Sequence, residues 1–167
     1  MDIREATRAD ASSLVAYLKV LAAEPGICIP LTPEDVVTVE HERAILEDFS
    51  DSPRALMLVA LAEGQLVGEL SLKAISPRRA IAHVATLGMS VKADWRRKGV
   101  GKELLAAALD WAPSAGIKRV ELYVYARNAA AIALYERAGF THEGRRRGFI
   151  HEGDAYIDDL VMSRWLD

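Results

Sequence analysis

The residues best placed to do chemistry sit in one short run, Val91-Lys92-Ala93-Asp94-Trp95-Arg96-Arg97-Lys98-Gly99-Val100-Gly101-Lys102. It carries five cations (positions 92, 96, 97, 98 and 102) and one acid, Asp94, a local charge of +4 in a chain whose net charge is −3. Gly99 and Gly101 have no Cβ, so the backbone can come close to a ligand. The amphipathic segment that follows, Glu103 to Ala112, reads as a helix, and the first N–H groups of a helix have no partner inside it and donate outward. Cations, glycines and a helix start together describe an anion site, phosphate above all. Two common phosphate loops do not fit. A nucleotide P-loop needs G-x-x-x-x-G-K-[ST], but Arg96 stands at the first glycine and Glu103 at the magnesium-binding hydroxyl. A dinucleotide fingerprint needs a third glycine where Leu104 stands.

Such a loop needs a strand to enter it and a helix to leave it. The chain supplies both within an alternating order. Asp10 can cap a helix over Ala11 to Ala23, with Leu14, Tyr17, Leu18 and Leu21 at helical spacing. The apolar stretch Ile27-Cys28-Ile29-Pro30-Leu31 is either tucked under the core or one wall of a substrate pocket. Thr32-Pro33-Glu34-Asp35 reads as the start of a helix running to about Asp48, with a turn from Phe49 to Pro53. Ala55–Ala62, Leu66–Ala74 and Ala82–Val91 read as three meandering strands, the first two joined by a tight turn at Glu63-Gly64-Gln65. Val100, Leu104, Leu105, Ala108 and Leu109 make one helical face after the loop. Arg119–Tyr125 alternates as a strand does. Asn128 caps a further helix to Ala138, which Gly139 stops, and extended segments near 141–151 and 155–163 close the chain. The order predicts one α/β domain over 1–167, built on a mixed sheet.

Composition narrows the class. The chain has 167 residues, 51% of them hydrophobic and 27% charged, which is globular rather than disordered. Its longest apolar run, Ala55 to Ala62, falls well short of the ~18 residues of a membrane helix. The acidic balance and the shortness of the basic run argue against nucleic acid. A single cysteine, Cys28, cannot form an internal disulfide, and no secretion signal opens the chain, so a cytoplasmic setting is expected. Cys28, between two isoleucines, reads as a plain thiol rather than a nucleophile.

Arg96-Arg97-Lys98-Gly99-Val100-Gly101 has the form [RQ]-x-x-G-x-[GA], and Asn128, Ala131, Leu134-Tyr135-Glu136 and Gly139-Phe140 fit N-x-x-A-x-x-L-Y-x-x-x-G-F. With these two motifs, and the element order around them, the chain resembles the GNAT superfamily of acetyl-CoA-dependent N-acetyltransferases. It looks most like the bacterial enzymes that act on ribosomal proteins, polyamines and amino acids. The resemblance implies a mixed, mostly antiparallel sheet of six to seven strands flanked by about four helices, with strands 4 and 5 splayed apart. It implies acetyl-CoA as co-substrate, no metal, an amine acceptor, and admits a homodimer.

Carried over residue by residue, the resemblance gives Met89 and Val91 backbone contacts to pantetheine. It gives the pyrophosphate to Arg96, Arg97, Lys98, Gly99, Val100, Gly101 and Lys102. Asn128 and Ala131 fall beside the pantetheine arm, although Asn128 is equally a helix cap. Tyr135 becomes the general acid that protonates the leaving thiolate. The base is left open: Glu69 and Glu121 lead, His83 follows, and Tyr123 stands where some relatives carry a glutamate. For the acceptor pocket the available groups are Glu34, Asp35, Tyr125, Arg145, Arg147, His151, Glu152, Tyr156 and Asp158. Both signs of charge suit an amino acid or a peptide N-terminus, while Arg145-Arg146-Arg147 reads equally as a solvated strand edge. A carrier-binding sensor with this fold and no turnover is the alternative.

Overall fold

The computed structural model describes residues 1–166. Seven strands, β1 (Asp2–Glu5), β2 (Ala55–Ala62), β3 (Gln65–Ala74), β4 (Val84–Val91), β5 (Arg119–Tyr125), β6 (Thr141–Glu152) and β7 (Ala155–Trp165), form one sheet in the order β1-β2-β3-β4-β5-β7-β6. Four helices accompany it: α1 (Ala11–Ala22), α2 (Val39–Asp51), α3 (Val100–Trp111) and α4 (Ala129–Arg137). The strand count, the helix count and the mixed sheet agree with the expectation from the resemblance. No helix among the described residues is long and apolar enough to cross a membrane.

Strand alternation sorts the core onto the two faces of the sheet. Leu58, Ala60, Leu70, Leu72, Ala85 and Leu87 pack with Leu104, Leu105 and Ala108 of α3 and Tyr135 of α4. Val59 and Leu66 point the other way, onto Leu14, Tyr17 and Leu21 of α1 and Leu46 of α2. Glu69 and Ser71 share parity with Val59's partner positions and face the α1–α2 layer. Tyr135 belongs to the opposite layer.

All neighbouring strands run antiparallel except β4 and β5, which are parallel. Their pairing starts at Val84↔Arg119 and ends at Leu87↔Leu122. Beyond that point β5 stays paired with β7 through Tyr125, and β4 stays paired with β3 through Val91. The two strands therefore diverge, and one edge of β4, from Gly88 to Val91, is left without a strand partner inside the sheet.

Three sequence expectations are corrected. The helix read from Thr32 to Asp48 is two pieces. A 3₁₀ turn, Pro33–Asp35, is closed by Thr32 and Asp35, whose carboxylate accepts from the Thr32 amide at 2.8 Å. The backbone then turns extended at Val36, and Thr38 starts α2 afresh by accepting from the His41 amide at 3.2 Å. The β-branched run Val36-Val37-Thr38-Val39 is poor helix material, so the first start aborts. The second correction is that α2 continues to Asp51, taking in the first three of the residues read as a turn, Phe49 to Asp51. The third concerns Asp10. It occupies the N-cap position of α1, but its carboxylate accepts from the Thr7 amide at 2.7 Å and pairs with Arg4 at 2.7 Å instead of capping. Those partners hold its pKa down at about 2.

Close packing under the site depends on Gly68 of β3. A Cβ there would lie 3.0 Å from Val100 Cγ1, 3.2 Å from Leu104 Cδ1 and 3.3 Å from the Ser90 carbonyl. Helix α3 can thus lie on the sheet only because position 68 has no side chain. Gly68→Ala is expected to cost about 1–3 kcal/mol of stability, as overpacking does, read as a lower urea midpoint with unchanged slope.

Candidate active site

The divergence of β4 from β5 opens a cleft of about 1590 Å³. Its walls come from both layers: the loop after α1, β3 and β4, the basic loop, the start of α3, and α4, with the β6–β7 hairpin closing one end. Glu69, Met89, Val91, Arg96, Arg97, Gly99, Gly101, Lys102, Asn128, Ala131 and Tyr135 all line it. Residues that were 66 positions apart in the chain, Glu69 and Tyr135, are brought to one cavity from opposite faces of the sheet.

Glu69 is half-buried on the cleft floor. Directly across the β3–β4 pair stands Ser90, whose hydroxyl donates to Glu69 Oε1 at 2.7 Å. The Tyr17 hydroxyl is 2.9 Å from Ser90 Oγ, behind it. Burial pushes the Glu69 carboxyl up to about 7, against the pull of the Ser90 hydroxyl, and the negative charge of Glu42 adds a little more in the same direction. A carboxylate near 7 is matched to taking a proton at neutral pH. Glu121, the other leading candidate, is not brought to the cleft. It pairs with Arg119 at 2.6 Å and accepts from the Tyr123 hydroxyl at 3.1 Å. His83 stacks on Trp165, with ring centroids 5.7 Å apart, also away from the cleft.

Tyr135 is buried to 6% exposure and packs edgewise on Phe140, ring centroids 5.8 Å apart. Its hydroxyl has no hydrogen-bond partner among the described residues. Burial first, and the Glu69 charge second, push its pKa up to about 12. A neutral phenol with an uncommitted O–H in a cleft is a proton or hydrogen-bond donor.

The basic loop presents its backbone. Arg97 and Gly99 have φ of 61° and 91°, both left-handed. Alternation of left- and right-handed residues makes successive N–H groups converge into an anion-binding nest, and Gly99 is the N-cap residue of α3. A Cβ on Gly101 would meet Met89 Cε and Leu134 Cδ2 at 3.4 Å, close to ordinary contact, so the glycine leaves that much more room beside Met89 for a ligand. The side chains behave less uniformly than the sequence suggested. Arg97 and Lys102 line the cleft, whereas Lys98 lies over the Trp95 ring at 5.0 Å and Val100 is buried in the core. For Val100, only the backbone is available to a ligand. Arg96 donates to the Val91 carbonyl at 2.9 Å and forks onto both carboxylate oxygens of Glu24. It braces the end of β4 against the end of α1. Asn128 caps α4, accepting from the Ala131 amide at 3.2 Å.

At the other end of the cleft, Ile27, Cys28, Ile29, Pro30 and Leu31 form a wall, while Ile27, Ile29 and Leu31 also pack on the α1–α2 core, so both readings of that stretch hold. Asp35, Tyr125, His151 and Glu152 line it as expected. Glu34, Arg145, Arg147, Tyr156 and Asp158 do not. Asp158 pins a bulge in β6, accepting from the Gly148 amide at 2.7 Å and from Arg145 Nε at 2.6 Å. The arginine that does reach the cleft is Arg146. Its guanidinium lies between the Tyr123 and Phe149 rings, 4.0 and 3.5 Å from their centroids, and forks onto buried Asp159. Sequence reasoning missed Arg146, Asp159, Ser90 and Tyr17. For Arg146, Asp159 and Ser90 the signal is strand parity, which needs the sheet order to be read; Tyr17 shows only as a residue on the apolar face of α1.

A cleft with an unpaired strand edge, a glycine-cut cradle and an amide nest fits a long, thin carrier ending in phosphates. Comparison with known proteins agrees. The model of the acetyltransferase (GNAT) family matches residues 23–140. L-amino acid N-acetyltransferase AaaT of Escherichia coli (strain K12) is 32% identical over 120 residues, covering 71% of this chain and 73% of that protein. Among solved structures, an acetyltransferase of the GNAT family from Streptococcus pneumoniae superposes with a TM-score of 0.93 at 28% identity, covering 99% of both chains. The protein yncA from Salmonella typhimurium, solved with its cofactor acetyl-CoA, shares the fold with a TM-score of 0.87 at 22% identity, covering 100% of this chain and 94% of that one.

Proposed function

The chain belongs to the GNAT acetyltransferase family, and from that premise we propose that it moves an acetyl group from acetyl-CoA to the α-amino group of an amino acid or a peptide N-terminus, in a cytoplasmic setting. The observation that carries the reading is the meeting of Glu69 and Tyr135 in one cleft, from opposite faces of the sheet, at the divergence of β4 and β5. Acetyl-CoA supplies an activated acyl thioester. The amides of the loop 97–102 hold its phosphates, and the free edge of β4 at Met89 and Val91 orients its pantetheine arm. Direct transfer makes a C–N bond and breaks a C–S bond. An ammonium acceptor gives up two protons, the first through Glu69 to solvent to free the amine and the second to Glu69 as the C–N bond forms. Tyr135 supplies one to sulfur and is reprotonated from solvent, so one proton is released net. The two residues sit on the two sides of the gap, so the protons need not cross paths.

The acceptor class follows from the base. A group near 7 can deprotonate an α-ammonium near 8 with little cost, whereas an alkylammonium near 10.4 is a little over two powers of ten harder. The cleft's far end adds apolar walls and charges of both signs, which suits a zwitterionic or peptide acceptor. Release of CoA thiol across a panel of amino acids, N-terminal peptides, diamines and polyamines tests this. We expect release with α-amines and little with alkylamines. Tight acetyl-CoA binding with no release from any amine would instead identify a sensor.

A further inference from the structure

Buried behind Glu69 is a row of hydroxyls that the proposed reaction does not itself use. Ser90 is 8% exposed and Tyr17 2% exposed. A hydroxyl carries one hydrogen and can accept through its lone pairs. Ser90 spends its hydrogen on Glu69 Oε1 at 2.7 Å, so across the 2.9 Å contact with Tyr17 it must accept. The chain therefore runs one way, from Tyr17 to Ser90 to the Glu69 carboxylate. The reverse direction, starting from a protonated Glu69, would leave the Tyr17 hydrogen pointing at no acceptor among the described residues, which is costly for a buried hydroxyl.

We propose that Ser90, held by Tyr17, is a positioning residue for the base: it anchors Oε1 of Glu69, leaves Oε2 to the amine, and favours the charged carboxylate. The proposal rests on Glu69 being the base. The groups facing Glu69 come from four elements. They are Tyr17 of α1, Glu42 of α2, Ser90 of β4 and Tyr135 of α4. Glu42 is buried and negative, and the two phenols are neutral, their ionisation pushed up by burial. No cation is hydrogen-bonded to Glu69 among the described residues. The hydroxyl chain is thus the one local feature that opposes burial and keeps the carboxylate available near neutrality.

The test has two readouts. The first is the titration of the Glu69 carboxyl, followed by its ¹³C shift in the ligand-free protein. The second is the acid limb of the pH profile of kcat/KM. In Ser90→Ala both are expected to move up by about one pH unit, since a hydrogen bond to a charged group is worth at least that much. Tyr17→Phe is expected to move them less, in the same direction. Ser90→Thr, which keeps the hydroxyl, is expected to restore both. A Glu69 carboxyl that titrates at the same pH in Ser90→Ala as in the parent protein overturns the proposal. An acid limb that persists in Glu69→Gln overturns the base assignment instead, and the carboxyl titration then still decides the role of Ser90.

Discussion

Replacement of Glu69 by glutamine is expected to lower kcat/KM for the amine about 10²-fold at pH 7, the ordinary worth of a general base, and to remove the acid limb of its pH profile. Acetyl-CoA affinity is expected to stay within a factor of two, because Glu69 faces the layer away from the loop. The same substitution should make the fold more stable, and the sign can be worked out. The folded protein holds the Glu69 proton up to about pH 7, whereas the carboxyl's ordinary value is 4.5. Its contribution to stability is therefore complete below about pH 4.5 and is lost as pH rises through about 7. Glutamine does not ionise and escapes that loss. Its melting temperature should exceed the parent's by more at pH 8 than at pH 5, by a few degrees for a change on the order of 1–2 kcal/mol. Lower activity with higher stability at alkaline pH is a paired outcome that loss of a merely structural carboxylate would not give. A Glu69→Gln protein with parental kcat/KM across pH would remove Glu69 from the reaction.

Tyr135→Phe is expected to lower kcat by at least about tenfold with little change in acetyl-CoA affinity. The ring and its packing on Phe140 are kept; only the hydroxyl goes. The residue's pKa of about 12 sharpens what that hydroxyl does. Against a thiol near 8.5, complete proton transfer from such a phenol is uphill by roughly three to four powers of ten. Part of the upward push, though, is the negative charge of Glu69. Once Glu69 has taken the amine's proton that charge is gone, and Tyr135 becomes a better acid at the step where one is needed. The two residues are thus coupled by charge through the gap. The double variant should then lose less than the product of the two single losses. Single-turnover measurement of thiol release separates this step from product release. Parental rates in Tyr135→Phe, with chemistry shown to limit turnover, would dismiss the acid role.

The residues proposed to hold the donor were legible in the sequence, and those at the end proposed for the acceptor were not. A loop such as Arg96 to Lys102 is a local object. Its glycines, its cations and the helix start are fixed by short-range geometry, and its spacing together with the second motif at Asn128 to Phe140 carries the proposal of a donor site. Asn128 and Tyr135 belong to one helix, at its cap and in its last turn, and their separation is also local. Choosing between Glu69 and Glu121 was beyond the same reasoning. Both are acids in strands, and what divides them is who stands alongside: Ser90 across one strand pair, Arg119 two residues away on its own strand. Likewise, three consecutive arginines gave no reason to single out Arg146. Its selection follows from a bulge in β6, which breaks the register after Arg146 and resumes it at Ile150. The helix misread from Thr32 had the converse cause: a sound local start signal, overridden four residues later by β-branched residues.

The unpaired edge of β4 has a further consequence for how the protein keeps company with itself. Free strand edges are the usual seeds of aggregation, and proteins blunt them with charge, proline or covering structure. The edge from Gly88 to Val91 carries no such residue. It is instead sunk between two strands that are already saturated on their outer sides, beneath helices that occupy both faces. A foreign strand brings side chains on both of its faces and would collide with those layers. An unbranched, flexible molecule would not. The fold thus keeps an adhesive edge permanently exposed to one shape of visitor while denying it to other polypeptides, and shape exclusion does the work that gatekeeper residues do elsewhere.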